Sequence, residues 1–216
     1  MIRIKICGIT DRAAMRAAVN AGAAYVGLNF FPPSPRYVAA EAVADLTADV
    51  PPGVAKVGLV VDESDDALDA IVSAAPLDMI QLHGKETPER VAQIKARYGL
   101  PVIKAVGVRE MSDLAAVERY ATVADMLLID AKAPKDSVLP GGNGVTFDWT
   151  ILQGRRWPVP WMLAGGLTPQ NVAEAIEVTG ARQIDLASGV ESAPGIKDPS
   201  LIRAFAEAAG VRSRAA

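Results

Sequence analysis

The chain has 216 residues, half of them hydrophobic and 22% charged, with a formal net charge of −3. That is enough to bury a sizeable core, and mild acidity without a Lys/Arg block argues against nucleic acid or an anionic membrane as the main partner. One cysteine cannot form an internal disulfide, the apolar runs are too short to span a bilayer, and "MIRIKICGIT" lacks the features of a signal peptide. A cytoplasmic protein in a reducing compartment is therefore expected, with no membrane partner.

Short β-rich runs alternate with Ala-rich, helix-periodic stretches from end to end. The first run, "IRIKIC" (2–7), alternates strictly, which puts Ile2, Ile4 and Ile6 on one face and Arg3, Lys5 and Cys7 on the other. With the Ile face against a helix layer, Cys7 falls at the strand's end and Lys5 one layer beneath. A nearby cation favours thiolate and lowers a pKa that starts near ~8.5. The alternative is a small buried hydrophobe, the usual state of a lone cysteine.

A helix over 11–22 follows, then "AYVGLNF" (24–30) with Asn29 near its end, then the loop "FPPSPR" (31–36). Pro32, Pro33 and Pro35 stiffen that loop and would hold Arg36 with little entropy loss. Arg36 reads either as a bidentate clamp for carboxylate or phosphate or as a solvated surface arginine. A helix at 39–48, the strand "VAKVGLVV" (54–61) and a helix at 64–74 lead to "LDMIQLH" (77–83). There His83, the sole histidine, shares a strand face with Gln81, as polar lining or as a proton carrier.

After a helix at 87–98, the strand "PVIKAVG" (101–107) and a helix at 111–121 comes "DMLLIDA" (125–131). Asp130 ends an apolar strand that gains nothing from a carboxylate at its tip. It is either a cap or ion-pair partner of Lys132, or a carboxyl group raised in pKa by apolar walls and suited to general acid work. "PGGNG" (140–144), with Gly142 and Asn143, lies in a long loop that is either a mobile lid over the mouth or a solvated turn. A helix over 146–153 precedes "VPWMLAG" (159–165), and a helix over 168–178 precedes "RQIDLAS" (182–188), which carries Asp185. The last helix covers 198–209.

Eight β/α units with short connections predict a parallel sheet with crossover helices. The expected fold is a single (β/α)₈ TIM barrel over residues 1–216, eight parallel strands inside a ring of helices. An internal repeat supports it: residues 8–23 align without a gap on 166–181, matching Gly8 with Gly166, Thr10 with Thr168 and Gly22 with Gly180. Both copies read as a glycine turn, a threonine N-cap, a helix and a Gly-Ala stop, with Pro169 at a first helical position.

In such a barrel the chemistry gathers at the strands' C-terminal ends. That filter selects Cys7, Asn29, His83, Asp130, Gly165–Gly166 and Ser188–Gly189, with Gln81, Gly142, Asn143 and Asp185 as further mouth residues. "LAGGL" (163–167) and "ASGVE" (187–191) end strands seven and eight, the loops from which barrels commonly build phosphate sites out of backbone N–H groups. Facing each other, a thiol base and a carboxylic acid would form an acid–base pair.

"KICGIT", "SPR" (34–36), "QLHG" (81–84), "LLID" (127–130), "GGNG…FDW" (141–149), "LAGGL" and "SGVE…PGIKD" (188–198) occur in that order along the chain. Together they resemble the phosphoribosylanthranilate isomerase family of the tryptophan pathway. The resemblance implies a (β/α)₈ barrel without cofactor or metal, acting on a small phosphorylated substrate by an Amadori rearrangement, as a monomer or homodimer. It also implies Cys7 as base, Asp130 as acid, Arg36 on the anthranilate carboxylate, and Gly165, Gly166, Ser188 and Gly189 on the phosphate. One departure is Asn143, where the family reads threonine.

Two rivals remain. A histidine-pathway isomerase acting on a related substrate would carry aspartate rather than Cys7 at the end of strand one. A non-catalytic barrel binding a phosphosugar would need neither Cys7 nor Asp130. A Schiff-base or metal mechanism loses ground because Lys104 lies mid-strand and only one histidine exists.

Overall fold

A computed structural model describes residues 1–133, 137, 139–142 and 144–213. Eight parallel strands close into a barrel in sequence order: β1 (Arg3–Cys7), β2 (Tyr25–Asn29), β3 (Ala55–Val60), β4 (Met79–Leu82), β5 (Val102–Val108), β6 (Met126–Ala131), β7 (Trp161–Leu163) and β8 (Gln183–Leu186). The seam is β8 against β1, with Lys5 opposite Asp185 and Ile6 opposite Leu186.

Alternation sorts the side chains as the period of two requires. Ile4 and Ile6 of β1, with Val26 and Leu28 of β2, pack outward into one large apolar layer. Tyr25, Val57, Ile103, Ala105, Met126, Leu128, Met162 and Ala164 point inward and fill the barrel. The interior is thus a packed core, with a few paired polar side chains inside it: Tyr25 Oη donates to Gln183 Oε1, and Lys5 pairs with Asp185.

The outer helices are α1 (Arg12–Asn20), α2 (Val43–Leu46), α3 (Asp65–Ala74), α4 (Pro88–Tyr98), α5 (Leu114–Tyr120), α6 (Val172–Thr179) and α7 (Pro199–Ala208). Side-chain caps start several of them: Ser64 accepts from the Ala67 N–H, Thr87 from Arg90, and Asp198 from Ser200 and Leu201.

Three expectations from the sequence are corrected. The helix over 146–153 is a single 3₁₀ turn, Trp149–Leu152, because Asp148 caps it and Gly154, at φ 70°, ends it within one turn. The N-cap of α1 is Asp11, whose carboxylate accepts the Ala14 N–H at 2.8 Å, while the Thr10 hydroxyl donates to the Gly195 carbonyl. In the second copy Pro169 lies in a turn ahead of α6, and Asn171 braces it by accepting from the Thr168 N–H and donating to the Gly166 carbonyl. Both threonines stand where a charged or amide neighbour makes the stronger local bond.

After β8 the chain makes a 3₁₀ turn at Ser188–Val190 and then an antiparallel hairpin, β9 (Glu191–Ala193) with β10 (Ile196–Lys197), before α7. The hairpin folds back over the seam and delivers two charged side chains to the mouth.

Lys104 of β5 faces outward and is buried under the loop that follows β4. Its ammonium bonds the Gly84 carbonyl and Glu86 Oε2, both at 2.8 Å. Glu86 in turn accepts the backbone N–H groups of Asp62 and Gly84, so one ion pair ties the loops after β3 and β4 to β5. Removing one partner of a buried pair leaves the other uncompensated, so Lys104→Met should destabilise the fold by roughly 3 kcal/mol, read as a lower urea midpoint with an unchanged m-value. An unchanged midpoint would mean the pair contributes nothing net.

Candidate active site

At the C-terminal ends of the strands lies a cavity of about 790 Å³. Cys7, Arg36, His83, Asp130 and Asp185 line it. So do Gly165, Gly166, Ser188 and Gly189, and Gly142 contributes from the loop after β6. Gln81 is buried beneath the floor. Asn143, and with it part of the 132–145 loop read as a lid, lies outside the described residues.

Cys7 ends β1 and is 5% exposed. Its register partner on β2 is Gly27, where an added Cβ would sit 2.8 Å from the sulfur, so the absence of a side chain there makes room for the thiol. One layer below, the wholly buried Lys5 ammonium lies 2.8 Å from the Asp185 carboxylate, its register partner across the seam. Burial would lower the Lys5 ammonium, but Asp185 and Cys7 together outweigh it and hold Lys5 above the ordinary lysine range.

Lys5 pulls the thiol down, as expected of a cation one layer beneath, but the net direction is upward. Burial pushes the Cys7 thiol up, with Asp185 adding to the rise, and this outweighs the downward pull of Lys5 and Lys197. Because Asp185 neutralises Lys5 at close range, the cation that alternation places under the thiol does not act as a free charge.

On the opposite wall Asp130 ends the described apolar run of β6. Its Oδ1 accepts the Ala131 N–H at 2.8 Å, and its Oδ2 lies 3.3 Å from His83 Nε2. Asp130 has no ion pair with Lys132, which instead pairs with Asp113. The other ring nitrogen of His83 lies 2.9 Å from Gln81 Nε2. In this orientation Gln81 donates to Nδ1, and Nε2–H faces the carboxylate. Turning the amide over makes Nδ1 the donor and Nε2 an acceptor for a protonated Asp130. The Gln81–His83–Asp130 chain thus accommodates both protonation states of the carboxyl group.

Arg36 is buried rather than solvated. Its backbone N–H donates to the Ser34 hydroxyl, which also accepts from Asn29 Nδ2, so the proline-stiffened loop is anchored to the end of β2. The guanidinium is gripped along one edge by Glu191, with Nε to Oε1 at 2.7 Å and Nη2 to Oε2 at 2.8 Å. Lys197 Nζ donates to the same Oε1 at 2.7 Å and to the Ala187 carbonyl at 2.9 Å. Burial works against the Glu191 charge, but Arg36 and Lys197 outweigh it and hold the carboxyl below its usual range.

Glu191 and Lys197 escaped the sequence reading. The available signal was the "SAPG" turn between them, which folds a short hairpin and brings both ends back to the same place.

The loops after β7 and β8 meet closely: a Cβ on Gly189 would fall 1.9 Å from the Leu167 carbonyl oxygen, so only glycine permits this approach. The arrangement offers a thiol and a carboxyl group on one cavity, a guanidinium with one edge unused, and two glycine loops suited to an oxyanion.

Comparison with known proteins gives the family. Residues 4–208 match the family profile described as N-(5'phosphoribosyl)anthranilate (PRA) isomerase. The chain is 63% identical over 209 residues to N-(5'-phosphoribosyl)anthranilate isomerase of Ruegeria sp. (strain TM1040), covering 96% of this chain and 97% of that one. Its fold superposes on phosphoribosyl anthranilate isomerase from Thermotoga maritima with a TM-score of 0.87 and 36% identity, over 97% of this chain and 99% of that one. A further solved isomerase, at TM-score 0.83 and 34% identity over 97% and 99% of the two chains, is in complex with reduced 1-(o-carboxyphenylamino)-1-deoxyribulose 5-phosphate. A match over nearly the whole barrel, at this level of identity, makes the chain a member of the N-(5'-phosphoribosyl)anthranilate isomerase family.

Proposed function

We propose that the chain isomerises N-(5'-phosphoribosyl)anthranilate to 1-(2-carboxyphenylamino)-1-deoxyribulose 5-phosphate in tryptophan biosynthesis, with Asp130 as general acid and Cys7 as general base. The observation that carries the mechanism is that both groups line one cavity with Arg36 and the two glycine loops. Residues 1–216 act as one barrel domain, in the cytoplasm, as a monomer or homodimer on a small phosphorylated substrate. No helix among the described residues is long and apolar enough to cross a membrane.

The phosphate binds to backbone N–H groups of the loops at Gly165–Gly166 and Ser188–Gly189, and the anthranilate carboxylate to the unused edge of Arg36. Anchoring both ends sets the ribose between the two reacting walls, which removes orientational freedom from the chemical step. Asp130 gives its proton to the ring oxygen as the C1′–O bond opens to a Schiff base. His83 Nε2–H then faces the new carboxylate, 3.3 Å away. Cys7, as thiolate, takes the C2′ proton to give an enolamine, which tautomerises to the ketone. Proton exchange with solvent resets both groups.

Each positioned acid or base contributes about 10²–10⁴-fold. Cys7→Ala and Asp130→Asn should therefore each lower kcat by at least about 10²-fold, and neither should restore growth to a tryptophan auxotroph lacking this isomerase, whereas wild type should. Growth with all three would remove the acid–base assignment but keep the reaction. No growth with well-expressed wild type would remove the reaction and leave a phosphosugar-binding barrel.

The pH dependence follows from the burial of the thiol. The base is active only when ionised, and burial raises the pH at which that happens. Iodoacetamide should therefore label Cys7 with a midpoint above that of an exposed cysteine, which lies at about 8.5. A thiol that labels fully at neutral pH would contradict the upward shift.

A further inference from the structure

Lys197 is buried and has no part in the reaction just described, yet it joins three parts of the mouth. It donates to the Ala187 carbonyl at the end of β8, from which the phosphate-side loop departs, and to Glu191 Oε1. Glu191 is saturated: Oε1 accepts from Arg36 and Lys197, and Oε2 from Arg36 and the Gly195 N–H. A carboxylate with four donors is a fixed bracket rather than a base. Because it occupies the Nε–Nη2 edge of Arg36, the Nη1 side is left for a ligand. Among the described residues Nη1 has no hydrogen-bond partner.

The cluster is held by charge. Its ion pairs join three basic side chains, Lys5, Lys197 and Arg36, to two carboxylates, Asp185 and Glu191, and burial lowers the Lys197 ammonium against the upward pull of Glu191. The charged groups facing that thiol are Lys5 on its own strand, Asp185 on β8 and Lys197 on β10. Lys5 is tied to Asp185, which leaves Lys197 as the second cation acting on the sulfur.

We propose that Lys197 is a positioning residue for the isomerisation: it pins Glu191 to the end of β8, so that Arg36 presents its free edge to the substrate carboxylate, and it sets a cation beside Cys7. This rests on the proposed roles of Arg36 and Cys7. One ammonium thereby couples carboxylate recognition, the phosphate-side loop and the ionisation of the base. The coupling is physical because the two bonds of Nζ brace the connection from Ala187 to Glu191 against β10, and Glu191 carries that restraint on to Arg36.

The test compares the full-length enzyme with Lys197→Met, Lys197→Arg and Glu191→Gln, measuring KM and kcat for N-(5'-phosphoribosyl)anthranilate and the pH profile of Cys7 alkylation by iodoacetamide. Loss of a charged buried hydrogen bond should raise KM roughly tenfold to hundredfold in Lys197→Met and Glu191→Gln. Alkylation should move to higher pH in Lys197→Met only, and Lys197→Arg should return it towards wild type. Glu191→Gln keeps the cation and should not shift the thiol upward. A folded Lys197→Met with wild-type KM and a wild-type alkylation profile would overturn the proposal. So would an equal upward shift in Glu191→Gln, which would indicate general loosening. Should Lys197→Met not fold, a Glu191→Gln enzyme with wild-type KM would overturn it. If wild type turned over no substrate, the proposed reaction would fail, while the alkylation profiles would still decide whether Lys197 acts on the thiol.

Discussion

The closure of the barrel between β1 and β8 is the constraint on which the site depends. At that seam the buried ammonium of Lys5 meets Asp185 at 2.8 Å, in register. Neither charge could remain inside a barrel filled with apolar side chains without the other, because an isolated buried ion costs several kcal/mol. The pairing therefore favours the register in which the two residues are opposite. It also brings the first strand beside the last loop, so that Cys7 and the 187–197 segment share one wall.

Everything at the mouth follows from charges held in pairs or threes under low exposure. Lys5 with Asp185, and Arg36 and Lys197 with Glu191, are arranged so that each carboxylate is satisfied before a ligand arrives. Three basic side chains set against two carboxylates suit a ligand bearing a phosphate and a carboxylate. The same arrangement makes thiolate harder to form, since burial and Asp185 both oppose it and a bound anion adds to that opposition. A site that attracts anions and also needs an anionic base must balance these demands, and cations on both sides of the sulfur are the means available to it.

The opposite wall works by hydrogen bonding instead. Asp130 meets a histidine whose second nitrogen touches an amide, a chain that can present either a donor or an acceptor to the carboxyl group.

The barrel, the strand order and most mouth positions were legible in the chain because they depend on local periods: alternation places Lys5 and Cys7 inward, apolar runs mark strands, and glycines mark the loops that touch. Cap identities were less legible, as Thr10 and Thr168 yielded to Asp11 and Asn171 through bonds made by side chains one or three residues on. The helix expected over 146–153 shrank to one turn because Gly154 ends it too soon. The ionisation of Cys7 could not be read from β1 at all. It depends on Asp185, 180 residues from Lys5, and on a hairpin that sets Glu191 against Arg36 across 155 residues. Period and composition act within a few residues and select elements and faces. The charge on a buried group is set by whatever partner folding brings within a few ångströms, and that partner came from the far end of the chain.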